Sequence, residues 1–175
     1  YFTDMQRGAV LRLSQDGLTP ISNAGMKEWF REKLTTKEYE SEIYSSNFVG
    51  TFDTVNGEYN LTLNYSKSGS TKYTVSFNEA TKGWVSFKSF MAETGKSVSG
   101  KYFTAINGND VMGSGVTGTL IWEHYANNTR NNFYGVQGES KISVLFNDEP
   151  GLVKSFQAVN YEGSQSRVIQ NNPSD

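Results

Sequence analysis

Few residues of this chain have the type and spacing to do chemistry. Glu123 lies between Trp122 and His124, Asp148 and Glu149 sit together in a turn, and Glu162 follows Tyr161. Carboxylates beside aromatics suit a glycosidase, but that reaction needs two of them facing each other across a sugar, and no spacing here pairs them. Adjacent strand residues point to opposite faces, so Glu123 and His124 share no site by adjacency. Serines are plentiful, yet none sits in a Gly-x-Ser-x-Gly elbow between strand and helix. Gly113-Ser114-Gly115 and Gly118 form a flexible loop; with no following lysine, helix or βαβ unit they make no phosphate cradle. His124 is the only histidine and cysteine is absent. Multi-histidine metal sites, disulfides, zinc ribbons, iron–sulfur clusters and cysteine nucleophiles are thereby excluded. The expectation is a protein without catalytic, cofactor-binding or metal residues, and without a cofactor.

Charge narrows the partners. Sixteen basic and eighteen acidic residues leave a net charge of −2. Neither a basic stripe for nucleic acid nor a polybasic membrane patch is present. No apolar run approaches the ~20 residues of a membrane-spanning helix, and no signal-peptide pattern opens the chain. The sequence starts at Tyr1 inside what reads as a strand, which suggests a segment of a longer polypeptide. Asn60-Leu61-Thr62, Asn64-Tyr65-Ser66 and Asn127-Asn128-Thr129 match the glycosylation pattern, but the first lies in an expected strand.

The elements that would position these residues are mostly strands. Alternation over 8–14 runs into Asp16-Gly17, a strong turn signal, and returns through 19–22, with Pro20 restricting that strand to an edge. From Asn23 to Leu34 the period changes: Met26, Trp29, Phe30 and Leu34 fall on one helical face, with Ser22 or Asn23 as cap. Thr35 and Glu38 fit a capping box for a further turn. This helix face is expected to pack internally, or else to serve as a docking stripe. Asn56-Gly57 separates two alternating runs and predicts a type I′ hairpin. Further strands are expected at 73–77, 84–90, 102–106, 119–124, 141–146 and 153–159. The expected core is Val10, Leu13, Phe52, Leu61, Leu63, Val75, Phe77, Trp84, Phe87, Ile121, Val144 and Phe146.

Two internal similarities connect these strands. Residues 72–78 (KYTVSFN) resemble 141–147 (KISVLFN), and Tyr1-Phe2-Thr3 recurs as Tyr102-Phe103-Thr104. Such repetition suggests propeller blades or a related repeat sheet; hairpins sharing a common alphabet is the alternative. At about four strands per blade the chain falls short of a closed ring. The fold class is therefore mainly β: antiparallel blade-like sheets, as a partial β-propeller or an open β-sandwich, with one amphipathic helix near the N-terminus. A structural domain over 1–163 is expected, followed by a polar tail or linker over 164–175. Three Trp, ten Tyr and eleven Phe would fill β cores and interfaces, or line a sugar-binding face.

Several stretches carry a family resemblance. They are Tyr1-Phe2-Thr3-Asp4, residues 7–14 (RGAVLRLS), 16–22 (DGLTPIS), 82–90 (KGWVSFKSF) with Glu93-Thr94-Gly95, 120–124 (LIWEH), Asn132-Phe133-Tyr134-Gly135 and 146–150 (FNDEP). Together they resemble tail structural proteins, of the muzzle, nozzle or stabilisation type, of crAss-like and related short-tailed phages. The resemblance implies β-propeller-like domains assembled around a tail tube, in the virion, with no catalytic residues to transfer. The implied partners are other phage tail subunits and the remainder of the parent chain, in a homo-oligomeric ring. A carbohydrate- or receptor-binding module at the tail tip is the alternative; a glycan hydrolase is the third reading.

Overall fold

The structure is a computed structural model that describes residues 1–35, 47–64, 72–111, 115, 117–143 and 151–155. The chain divides into two compact units, Tyr1–Ser140 and Lys141–Asp175.

The first unit is mainly antiparallel β. Strands β1 (Phe2–Asp4), β2 (Ala9–Ser14) and β3 (Gly17–Pro20) form one sheet in that order. The Asp16-Gly17 turn is where the sequence puts it, with Gly17 at φ +98°. A 3-10 turn, Ile21–Asn23, follows, and then α1, Lys27–Thr35. The helix begins later than expected because Gly25 takes φ +80°, outside the helical region. Neither Ser22 nor Asn23 caps it; the first helical bond runs from the Phe30 amide to the Met26 carbonyl. The proposed second helical turn at Glu38 lies outside the described residues.

A four-stranded sheet is built from β4 (Asn47–Asp53), β5 (Glu58–Asn64), β6 (Tyr73–Asn78) and β7 (Gly83–Lys88) in sequence order. Its registers sort the side chains by chemistry. Phe48, Gly50, Phe52, Tyr59, Leu61, Leu63, Tyr73, Val75, Phe77, Trp84 and Phe87 share one face. Thr51, Asp53, Asn60, Thr62, Thr74 and Ser76 share the other. A register shift between Ser76 and Phe77 bulges β7 and turns Val85 outward, which also blunts this edge strand.

The apolar face packs on Val10, Ile21, Phe30 and Leu34, with Met26 and Trp29 at the margin. Each large side chain buried this way contributes roughly 1.5–3 kcal/mol. The helix stripe is thus used internally. Trp29 meets Phe30, Tyr73 and Phe87 edge-on, and the Trp84 indole donates to the Ile21 carbonyl at 3.0 Å.

A third sheet comprises β8 (Thr94–Val98), β9 (Lys101–Asn107) and β10 (Thr119–Glu123), with β9 central. The pair β11 (Asn132–Phe133) and β12 (Val136–Gln137) forms a small hairpin. A second apolar cluster gathers Phe90, Ala92, Ile106, Val111 and Tyr134, with Leu120, Trp122 and Phe133 packed against it. In the second unit, the described residues Lys141–Ser143 and Gly151–Ser155 carry no helix or strand. The remainder of the two strands expected there, the Val144 and Phe146 core positions and the tail from Ser164 lie outside the described residues.

Four expected core residues are exposed instead. Leu13 is 70% exposed and Ile121 74%. Leu13 stands three residues from Val10, and an odd spacing on a strand puts the two on opposite faces. Ile121 likewise points outward while Leu120, Trp122 and His124 turn in. Phe52 and Phe87 lie on the apolar face but on the two outer strands of their sheet, where Tyr1 and Trp29 cover them only in part. The Asn56-Gly57 connection also differs from expectation. Asp53 pairs with Glu58, so the loop has four residues, and of these only Gly57 has positive φ, at +65°. Two-residue connections with positive φ at both positions occur at Ser99-Gly100 and Tyr134-Gly135.

The similar triplets at Tyr1 and Tyr102 both fall within or against strands, but β1 is an edge and β9 a centre.

Candidate functional site

The residues with chemical potential are built into a polar layer between two sheets. β4 to β6 alternate apolar residues with Thr, Ser, Asn and Asp, so one whole face carries hydroxyls and amides. That face is turned toward β8 and β9. The Tyr102 hydroxyl on β9 meets Thr51 Oγ1 at 2.6 Å and accepts from Asn60 Nδ2 at 3.3 Å. Ser76 Oγ donates to Asn60 Oδ1, and Thr62 Oγ1 lies 2.9 Å from Thr74 Oγ1. Burial raises the pKa of Tyr102, against the opposing pull of its bonds to Thr51 and Asn60. Gly95 makes the close approach possible: a Cβ there would lie 3.0 Å from Thr51 Cγ2 and 2.9 Å from the Phe103 carbonyl oxygen.

His124 enters the same layer from the residue after β10. Its Nε2 lies 2.7 Å from Thr104 Oγ1, which also lies 2.8 Å from the Tyr134 hydroxyl. Rings of Phe90 and Tyr102 pack on the imidazole at centroid distances of 4.9 and 4.7 Å. Burial lowers the His124 pKa to about 4, so the ring is neutral at pH 7. Its neighbour Glu123 points outward and pairs with Lys101 at 2.8 Å. The expectation that the two share no site holds. Trp122 turns inward, and its indole nitrogen has no acceptor among the described residues.

Asp53 is fully buried and satisfied. Its Oδ1 accepts from the Val55 amide at 2.8 Å, and its Oδ2 accepts from the Tyr125 hydroxyl at 2.6 Å. Asn56 Nδ2 donates to the same Tyr125 hydroxyl at 2.7 Å. Burial, then the bond to Asp53, raises the Tyr125 pKa. This knot ties the β4–β5 loop to the chain just beyond β10, across 72 residues. Neither Asp53 nor Tyr125 stands out in the sequence as a partner of the other.

Chemically this layer positions hydroxyl, amide, imidazole and carboxylate groups against one another as donors and acceptors. Each net hydrogen bond contributes about 0.5–1.5 kcal/mol, and each group left unmatched would cost more. Among the described residues no group of three or more His, Cys, Asp or Glu could hold a metal. The other carboxylates weighed from sequence, Asp148, Glu149 and Glu162, lie outside the described residues, as do Gly113 and Ser114. Asn60 of the first glycosylation match is buried. Asn127 accepts from the Thr129 amide at 2.8 Å and lines a polar pocket together with Arg130 and Asn131.

Small antiparallel sheets stacked through a buried polar layer, with one helix closing the far face, define a mainly β layered module. Residues 128–173 match the family described as Crassvirus muzzle protein C-terminal domain. The match supports a crassvirus tail muzzle-type protein. The family implies a phage virion structural protein, located in the tail and associated with other tail components. No curated protein and no solved structure matches the chain. No helix among the described residues is long and apolar enough to cross a membrane.

Proposed function

We propose that the chain is a non-enzymatic assembly module of the phage tail. It acts through the outer faces and edges of its sheets, within a homo-oligomeric ring. The observation that carries this reading is the exposure of large apolar side chains on two separate sheets. Phe2, Leu13 and Leu18 share the outward face of β1–β3, and Val98 and Ile121 that of β8–β10. Apolar residues grouped on a sheet face are what a subunit interface covers. Lys96 and Lys101 lie on the same face as Ile121. Cross-linking of intact particles at these lysines should join this chain to another copy or another tail protein. Links confined to the chain itself would overturn the proposal.

A second reading has its own observation. Tyr1 and Phe52 are both partly exposed and lie 6.1 Å apart with planes only 16° from parallel. Tyr1 also stacks on Tyr59 at 4.1 Å, and the ring surface this group leaves exposed suits stacking on a sugar. A glycan array with Tyr1→Ala and Phe52→Ala variants tests this; signal lost in both variants supports it, and no signal from the parent chain rejects it.

A further inference from the structure

A cleft of about 240 Å³ opens beside the β11–β12 hairpin. Met91, Ile106, Val111, Phe133 and Val136 give it an apolar lining, and Asp110 stands with them. The backbone that carries Asp110 is held there by local structure. Asp110 ends a 3-10 turn, Gly108–Asp110, in which Asn107 Oδ1 accepts from the Asn109 amide at 3.0 Å and the Val111 amide donates to the Gly108 carbonyl at 3.2 Å. Among the described residues Asp110 has neither an ion pair nor a hydrogen bond to its carboxylate, in contrast to Asp4, Asp53, Glu79 and Glu123. The cleft is smaller than the ~300–1,000 Å³ of a small-molecule pocket. It matches one long side chain.

We propose that this cleft takes a basic side chain from a neighbouring tail protein, its aliphatic stem on the apolar wall and its cation at Asp110. This rests on the reading of the chain as a tail-assembly module. An apolar stem with a charged head is how lysine normally divides itself between apolar surface and water. Charge complementarity selects the occupant: an anionic or neutral chain would leave Asp110 unpaired and gain only the stem.

Hexylamine, hexanol and hexanoate are the probes, titrated into the full 175-residue chain and followed by amide NMR. Hexylamine should shift the Ile106, Asp110, Val111 and Phe133 signals. It should bind about fivefold more tightly than hexanol, the gain an exposed ion pair supplies. Asp110→Asn should erase that difference, and Asp110→Lys should reverse the preference toward hexanoate. Equal binding of all three probes, or shifts elsewhere on the chain, would overturn the cleft proposal and leave the assembly reading intact. Amine binding at the cleft with no cross-links to another copy or to another tail protein would count against the assembly reading instead.

Discussion

His124 is kept neutral by the rings that bury it, and this makes folding sensitive to acid. Its folded pKa is about 4, against 6.5 for an unperturbed imidazole, with burial as the largest cause. Between those values the unfolded chain binds a proton that the folded chain does not. Stability therefore rises with pH across that window and is lost as pH falls from about 6.5 toward 4. Carboxylates titrate at the lower end too, so the useful measurement is a difference. The gap in melting temperature between His124→Gln and the parent should shift in the variant's favour as pH drops from 6.5 to 4. Glutamine keeps an acceptor for the Thr104 hydroxyl but cannot be protonated. Parallel curves would mean that the imidazole takes its proton without cost in the fold.

At the scale of elements, two glycines carry different loads. Gly57 sits at φ +65° with open space where a Cβ would go, so only backbone strain opposes substitution. Gly57→Val should destabilise by more than about 1 kcal/mol, because a β-branched residue resists the left-handed region. Gly57→Asn should cost visibly less, and equal urea midpoints for the two variants would refute the argument. Gly95 has ordinary φ but no room: a Cβ would press on the Phe103 carbonyl and on the methyls of Thr51 and Thr104. Gly95→Val should cost about 1–3 kcal/mol as an overpacked contact. An unchanged midpoint would show that β8 and β4 separate freely. The same elements show what a sequence discloses. Alternation located β4 to β7, β9 and β10, and the helical period located α1, since both patterns are local. The strand β8 was missed because Thr94-Gly95-Lys96-Ser97-Val98 has a single large apolar residue, and its partner is fixed by a turn at Ser99-Gly100. The polar layer was illegible for a deeper reason. Thr51, Asn60, Thr62, Thr74 and Ser76 look like the solvent side of a half-buried sheet, and only a second sheet bringing Tyr102 converts that face into an interior. Asp53 and Tyr125 are likewise too far apart in the chain for any spacing rule to join them. Phe87 and Phe52 were placed on the right face, but exposure at a sheet margin depends on what the neighbouring elements reach.

For the whole molecule, the distribution of apolar surface sets the expected behaviour in solution. Interior demands are met twice over: one apolar core lies under α1, and a second lies beneath β11–β12. What remains outside is not scattered. Leu13 pairs with Leu18 across β2 and β3, and exposed Phe2 lies on the same face, although its own partner Leu11 is buried. Ile121 stands on β10 opposite Ala105, with Val98 further along the outward face. Grouped residues of this kind drive association when nothing covers them, and unpaired sheet edges beside them add backbone groups that a partner strand can use. The chain should therefore self-associate in a concentration-dependent way. The double variant Leu13→Lys, Ile121→Lys should shift the population toward monomer. Because both side chains are already exposed, its melting temperature should stay close to that of the parent, within the roughly 0.5 kcal/mol expected of surface changes. Light scattering across a dilution series reads the first effect and calorimetry the second. A parent chain that stays monomeric at high concentration would remove the basis for interface-making. A variant that associates less but also melts early would show instead that Leu13 or Ile121 supports the fold, and the interface would have to be sought on other faces.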